Sequence, residues 1–241
     1  MNRQGNTYTV IYSIVLVVIV GVVLSFVYQA LRPTQEMNIE NDTKKQILAA
    51  ARIIPKDGES IESLYEKNII DSYIVNSEGK RIDSNTPAFS VNVAAQVKLP
   101  GNERELPVFE CRTPQGIKYI IPVYGAGLWG PIWGYIAFDN NGNTIYGAYF
   151  AHQGETPGLG AEIEKPAFSS QFNGKNVFNA QGNFASIAVV KAGQEKPGEE
   201  YVNAVSGGTI TSHGVQAMLA NSLEPYATFL KNLNSESHES E

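Results

Sequence analysis

The sequence predicts an α+β protein in which one N-terminal transmembrane helix precedes an antiparallel sheet with flanking helices. Three observations lead there: an uncharged apolar run near the N-terminus, a series of β-branched and aromatic segments in the middle, and apolar residues at helical spacing toward the C-terminus.

From Thr9 to Leu31 no residue is charged, and a helix needs roughly 20 such residues to cross a bilayer core. A cleaved signal peptide would have a shorter apolar stretch, about 7–15 residues, ending in a small-residue cleavage site. Here the run is longer, and Tyr28-Gln-Ala-Leu-Arg-Pro makes a poor site. Residues 9–31 are therefore read as a membrane anchor behind a short tail at 1–8. Arg3 precedes the span while Arg32, Lys44 and Lys45 follow it, so the positive-inside rule leaves its orientation open.

After a polar connector at 33–42, Asn41-Asp-Thr supplies capping residues for a helix over 43–52. A turn at 55–60 leads to a short helix over 60–67. Ser72-Tyr-Ile-Val-Asn and Lys80-Arg-Ile read as a hairpin through Ser77-Glu-Gly, whereas residues 84–105 are polar and give weak signals. Residues 32–105 are thus taken as a membrane-proximal α/β region. From Leu106 the strand pattern strengthens, over 107–112, 116–124, 132–139 and 144–152, each rich in β-branched or aromatic residues. Asp139-Asn-Asn-Gly-Asn joins two of them as a turn; a calcium loop would need Gly at its sixth position, where Thr144 stands. A helical stretch is expected after Gly160, a strand over 184–191, and a helix over 212–234. In that last helix Val215, Met218, Leu219, Leu223, Tyr226, Phe229, Leu230 and Leu233 form a core-facing stripe, and Pro225 divides it. Residues 235–241 read as a disordered tail.

A net charge of −6 with scattered acidic residues argues against nucleic acid as a partner. The single cysteine, Cys111, excludes an intramolecular disulfide and a Cys-ligated iron–sulfur cluster within this chain. Within the apolar strand around it, a buried inert thiol is expected.

Two segments carry chemistry. Ser206-Gly-Gly-Thr-Ile-Thr-Ser212 lies before the last helix; paired glycines let backbone approach a bulky ligand, and a helix N-terminus favours phosphate. The bland alternative is a glycine turn with Thr211 or Ser212 as N-cap. Ser206 lacks the preceding glycine of a hydrolase nucleophile elbow, which sets hydrolysis aside. His152-Gln-Gly-Glu-Thr-Pro-Gly-Leu-Gly160 follows a strong strand and is a small-residue loop that could lie against a flat aromatic ligand. Trp129 and Trp133, in Gly127-Leu-Trp-Gly-Pro-Ile-Trp-Gly134, read as core or edge packing.

The N-terminal span, the Gly127–Gly134 segment, Glu155-Thr-Pro-Gly-Leu-Gly160 and the terminal Ser-Gly-x-Thr occur in an order and spacing that resembles one family. That family is the FMN-binding domain shared by the C component of the Na+-translocating NADH:quinone oxidoreductase and the G component of the Rnf complex. The resemblance implies that residues 106–234 form the FMN-binding domain and that Thr209 is esterified to the FMN phosphate by a separate Mg2+-dependent flavin transferase acting on FAD. It implies that Thr156 and Leu159 line the flavin ring and that Ser206, Gly207 and Gly208 make the attachment turn. Gly154, Glu155, Gly158 and Gly160 then form the loop. Gly208 replaces the usual Ala, and Asn203 stands where an Asp commonly precedes the motif. The long stretch before Gly127 favours the quinone-reductase component over the Rnf one.

What the resemblance implies for function is one-electron relay from NADH toward quinone within a sodium-exporting complex, with no catalytic acid or base from this chain. The implied partners are the other membrane and redox subunits, and the implied location is the bacterial inner membrane with the soluble domain in the periplasm. The reading from another class is a membrane-tethered binding module without redox role, using Trp129 and Trp133 against a partner.

Overall fold

The computed structural model describes residues 5–239. It falls into two compact units, Met1–Thr43 and Lys44–Glu241. Helix α1 runs from Asn6 to Ala50 with Pro33 inside it, so residues 33–42 are helical and the connector expected there is absent. Pro33 removes one main-chain hydrogen bond. Around it, Arg32 pairs with Glu36 at 2.8 Å and the Thr43 hydroxyl donates to the Ile39 carbonyl at 2.9 Å, both one turn apart. The apolar side chains of the 9–31 run are exposed, and α1 is long and apolar enough to cross a membrane. It ends in a Schellman arrangement: the Ile53 N–H donates to Leu48 O and the Arg52 N–H to Ala49 O, with Arg52 left-handed at φ 59°.

Helix α2 (Ile61–Asn68) starts where Ser60 Oγ accepts from the Ser63 N–H at 3.4 Å. Strands β1 (Ile69–Val75) and β2 (Arg81–Ile82) form the expected hairpin, and a short helix α3 (Val93–Gln96) follows. Then come β3 (Leu106–Thr113), β4 (Gly116–Ala126), β5 (Pro131–Phe138) and β6 (Ile145–His152). All six pair antiparallel in the order β2-β1-β3-β4-β5-β6. β1 pairs with β3 from Ile69↔Cys111 to Val75↔Leu106, so the hairpin before residue 106 and the strands after it belong to one sheet.

Single-turn helical segments, including α4 (Pro166–Ser169), fill 160–172. Of the strand expected over 184–191 only β7 (Ala188–Val190) forms, and it pairs parallel with β8 (Tyr201–Asn203), which the sequence did not announce. Helix α5 (Thr209–Leu223) begins three residues before the expected Ser212, and a 3-10 turn containing Pro225 separates it from α6 (Ala227–Glu239). Residues 235–239, expected to be disordered, continue α6; residues 240 and 241 lie outside the described residues.

Alternation along the strands builds a core on each face of the sheet. Ile121, Val123, Ile132 and Ile136 pack with Val215, Met218, Leu219 and Leu223 of α5 and with Phe229 and Leu230 of α6. Phe109, Cys111, Ile120 and Ala137 pack on the opposite side with Ile47 and Ala50. Burial pushes the Cys111 thiol up to about 12, which leaves it inert.

Buried Arg104 closes the 93–105 segment against α5. Its guanidinium donates to Val97 O, Leu99 O, Asn221 O and Asn221 Oδ1 at 2.8–3.0 Å, satisfying carbonyls near the helix C-terminus. Arg104→Met removes these four charge-assisted hydrogen bonds, and thermal unfolding of the full chain in detergent should show a loss of about 2 kcal/mol.

Candidate functional site

Helix α5 is fixed on β4 by more than its apolar stripe. Ser222 Oγ accepts from the Tyr124 N–H at 3.2 Å and donates to the Tyr124 carbonyl at 3.3 Å, and Gln216 Oε1 accepts from the Val189 N–H at 2.8 Å. The start of α5 is thereby set beside the loop after β6 and the tip of the β4–β5 hairpin. That tip closes through Gly127 N–H to Gly130 O at 2.8 Å. The three segments surround a cavity of about 350 Å3, at the small end of the roughly 300–1,000 Å3 range of small-molecule sites.

The hairpin tip contributes Leu128 and Trp129, the loop contributes Glu155, Thr156, Leu159 and Gly160, and the helix start contributes Gly207 to Thr211. Four apolar side chains are exposed there: Trp129 at 69%, Ile210 at 59%, Leu128 at 47% and Leu159 at 43%. Trp129 therefore departs from the packing role expected of it, because Glu155 takes its backbone N–H and leaves the indole outside the core. Trp133 keeps that role, half-buried, with Nε1 donating to Gln46 Oε1 at 3.0 Å.

Glu155 holds the site together. It is buried, its Oε2 accepts from the Thr211 hydroxyl at 2.5 Å, and its Oε1 accepts from the Trp129 N–H at 2.8 Å. The carboxylate lies between two glycines: a Cβ on Gly127 or on Gly160 would come within 2.5 Å of one of its oxygens. The Glu155 N–H donates to His152 Nδ1 at 3.1 Å, which leaves the imidazole hydrogen on Nε2, 3.6 Å from Glu164 Oε1. Burial alone would push the Glu155 carboxyl up. The Thr211 hydroxyl and the N–H groups of Trp129 and Leu128 outweigh it and hold the group below its usual range.

The turn that leads into α5 is local. The Gly208 N–H donates to Val205 O at 3.1 Å, and Ser212 Oγ accepts from the Val205 N–H at 3.0 Å. Gly207 has φ +72°, which favours glycine. Gly208 occupies the N-cap position of α5 with no side-chain cap, so the first-turn N–H groups are left without an intrahelical partner. Thr209, first residue of the helix, is exposed. Neither Thr211 nor Ser212 caps the helix: Thr211 is turned inward to Glu155 and Ser212 to Val205.

Of the residues singled out from sequence, Thr209, Gly207, Gly208, Glu155, Thr156, Leu159 and Gly160 line the cavity. Ser206 and Gly158 do not; Ser206 is exposed in the turn, and Gly158, at φ +75°, shapes the loop while its N–H donates to Glu162 Oε1 at 3.2 Å. Leu128, Trp129, Ile210 and Thr211 are lining residues that sequence reasoning missed. Asn203 is fastened through its backbone to the Gln171 amide.

A family model described as the FMN-binding domain matches residues 127–224, the interval that holds every lining residue. The C component of the Na(+)-translocating NADH-quinone reductase of Neisseria meningitidis serogroup B is 31% identical over 250 residues, covering 95% of this chain and 96% of that protein. The chain belongs to the family of this reductase component. Its relative in Chlamydia muridarum, of the same description, is 30% identical and covers 97% of this chain and 96% of its own length. The crystal structure of the corresponding component from Parabacteroides distasonis has a TM-score of 0.76 at 46% identity, over 83% of this chain and 96% of that one. Shewanella oneidensis NqrC has a TM-score of 0.67 at 27% identity, over 81% of this chain and 98% of that one.

An apolar-rimmed cavity beside an exposed hydroxyl and an uncapped helix N-terminus suits a ligand with an aromatic ring system and a phosphate, as FMN has. The lowered carboxyl of Glu155 also sets a pH dependence. Its contribution to stability is full above the unfolded glutamate value of about 4.3 and is lost as pH falls through the lower folded value. Thermal unfolding from neutral pH downward should show the stability gap between wild type and Glu155→Gln narrowing below that point.

Proposed function

We propose that this chain is the flavin electron-carrier subunit of a Na+-translocating NADH:quinone reductase, with FMN held by a phosphoester on Thr209. The observation that carries the reading is the exposed Thr209 hydroxyl at the first turn of α5, on a cavity with an apolar rim. Gly207 and Gly208 keep the turn clear of side chains beside the phosphate, and the free N–H groups of the first turn of α5 favour its charge. Thr156, Leu159 and Trp129 line the ring, Glu155 holds the loop to the helix, and Ser206, Gly158 and Gly160 shape the two turns.

Thr209 Oγ would hold the flavin through its phosphate: a separate Mg2+-dependent flavin transferase would make that ester from FAD, the hydroxyl giving up its proton and AMP leaving. Bound FMN supplies reversible one-electron chemistry, and the protein supplies its position and electrostatic surroundings. No acid or base from the chain is needed. A covalent tether keeps the cofactor local where dissociation would dilute it. The span at 9–31 anchors the chain in the bacterial inner membrane with the soluble domain periplasmic, beside the other membrane and redox subunits that pass electrons from NADH toward quinone.

A membrane-tethered binding module without redox role draws on the exposure of Trp129, and it predicts no flavin. After coexpression with a flavin transferase, the denatured wild-type band should fluoresce as flavin. Thr209→Val should remove that fluorescence entirely while the unfolding temperature stays close to wild type. A colourless wild type, or fluorescence retained in Thr209→Val, would overturn the attachment.

A further inference from the structure

We propose that Glu155 sets the reduction potential of the flavin on this chain by holding a fixed negative charge in the cavity wall. The inference rests on the flavin reading above. Glu155 lines the cavity at 4% exposure, and the groups that bond its carboxylate are neutral: the Thr211 hydroxyl and the N–H groups of Trp129 and Leu128. Among the described residues no Lys or Arg forms an ion pair with it. His152 meets it through the backbone N–H and turns Nε2 toward Glu164, and Glu162 binds the loop at Gly158. The charged side chains of this loop are thus acidic.

An electron arriving from the upstream redox partner adds negative charge to the cavity, and it leaves to the downstream one. A buried carboxylate in the wall repels that added charge more strongly than it would in water. The reduced form is therefore disfavoured and the potential lowered, which promotes onward transfer. Glu155 itself gains and loses neither electron nor proton.

Glu155→Gln removes the charge and keeps the shape: the carboxamide oxygen can accept from the Trp129 N–H and its NH2 can donate to Thr211. Thr211→Val keeps the charge and removes one screening donor. The full chain, flavinylated by coexpression with a flavin transferase, is first weighed by mass spectrometry and then titrated spectroelectrochemically in detergent. The expected result is a midpoint potential above wild type for Glu155→Gln and below wild type for Thr211→Val.

A wild type that carries no flavin would sink the functional reading and this inference together. A flavinylated wild type whose flavinylated variants keep its potential, or shift in the opposite senses, would overturn this inference alone. Loss of attached flavin from both variants would also overturn it, making Glu155 a builder of the attachment turn rather than a tuner.

Discussion

One buried carboxylate joins three pieces of chain far apart in sequence. Glu155 takes the hydroxyl of Thr211 and the N–H of Trp129, and its oxygens sit where side chains on Gly127 and Gly160 would stand. A charge taken out of water is tolerated only when its lone pairs are met. The hairpin tip, the loop after β6 and the first turn of α5 must therefore keep their mutual placement, because moving any one leaves the charge unmet. The cavity and the exposed Thr209 are the outcome of that joint.

The scaffold makes such a joint possible by presenting the segments at one end of the sheet. β4 and β5 are paired from Tyr119↔Phe138 to Ala126↔Pro131, so their connecting tip is fixed. β5 and β6 are paired through Ile132↔His152, and the Gln153 N–H donates to Pro131 O at 3.0 Å, which starts the loop beside the tip. The apolar stripe of α5 and the Ser222 and Gln216 contacts then bring Thr209 to the same place. Rigid elements carrying a loop-built site give the precision a bound cofactor needs.

The parts legible in the sequence are those with a short-range signature. Alternation in Pro107–Arg112 and Gly116–Tyr124, the Asp139 turn and the Val215–Leu233 stripe each mark their element within a few residues. The charge-free run at 9–31 likewise belongs to a helix of membrane-crossing length. The misses have tertiary causes. β7 and β8 are three-residue strands whose pairing is decided by packing against α5 and not by propensity, and the helical turns in 84–105 depend on Arg104 reaching Asn221. Polar residues after Pro33 looked like a connector, yet they continue a helix that ends in the left-handed Arg52. At the site, the motif marked Thr209, Thr156 and Leu159. Neither the bond of Glu155 to Thr211, 56 residues away, nor the outward turn of Trp129 has a local pattern to reveal it.

The most direct test is peptide mapping by tandem mass spectrometry of wild-type chain matured with a flavin transferase. Trypsin releases residues 192–231 as one peptide, because Pro197 protects Lys196. The account predicts that this peptide alone carries the mass of one esterified FMN and that fragmentation assigns it to Thr209. An unmodified 192–231 peptide from matured protein, or flavin on another peptide, would contradict it.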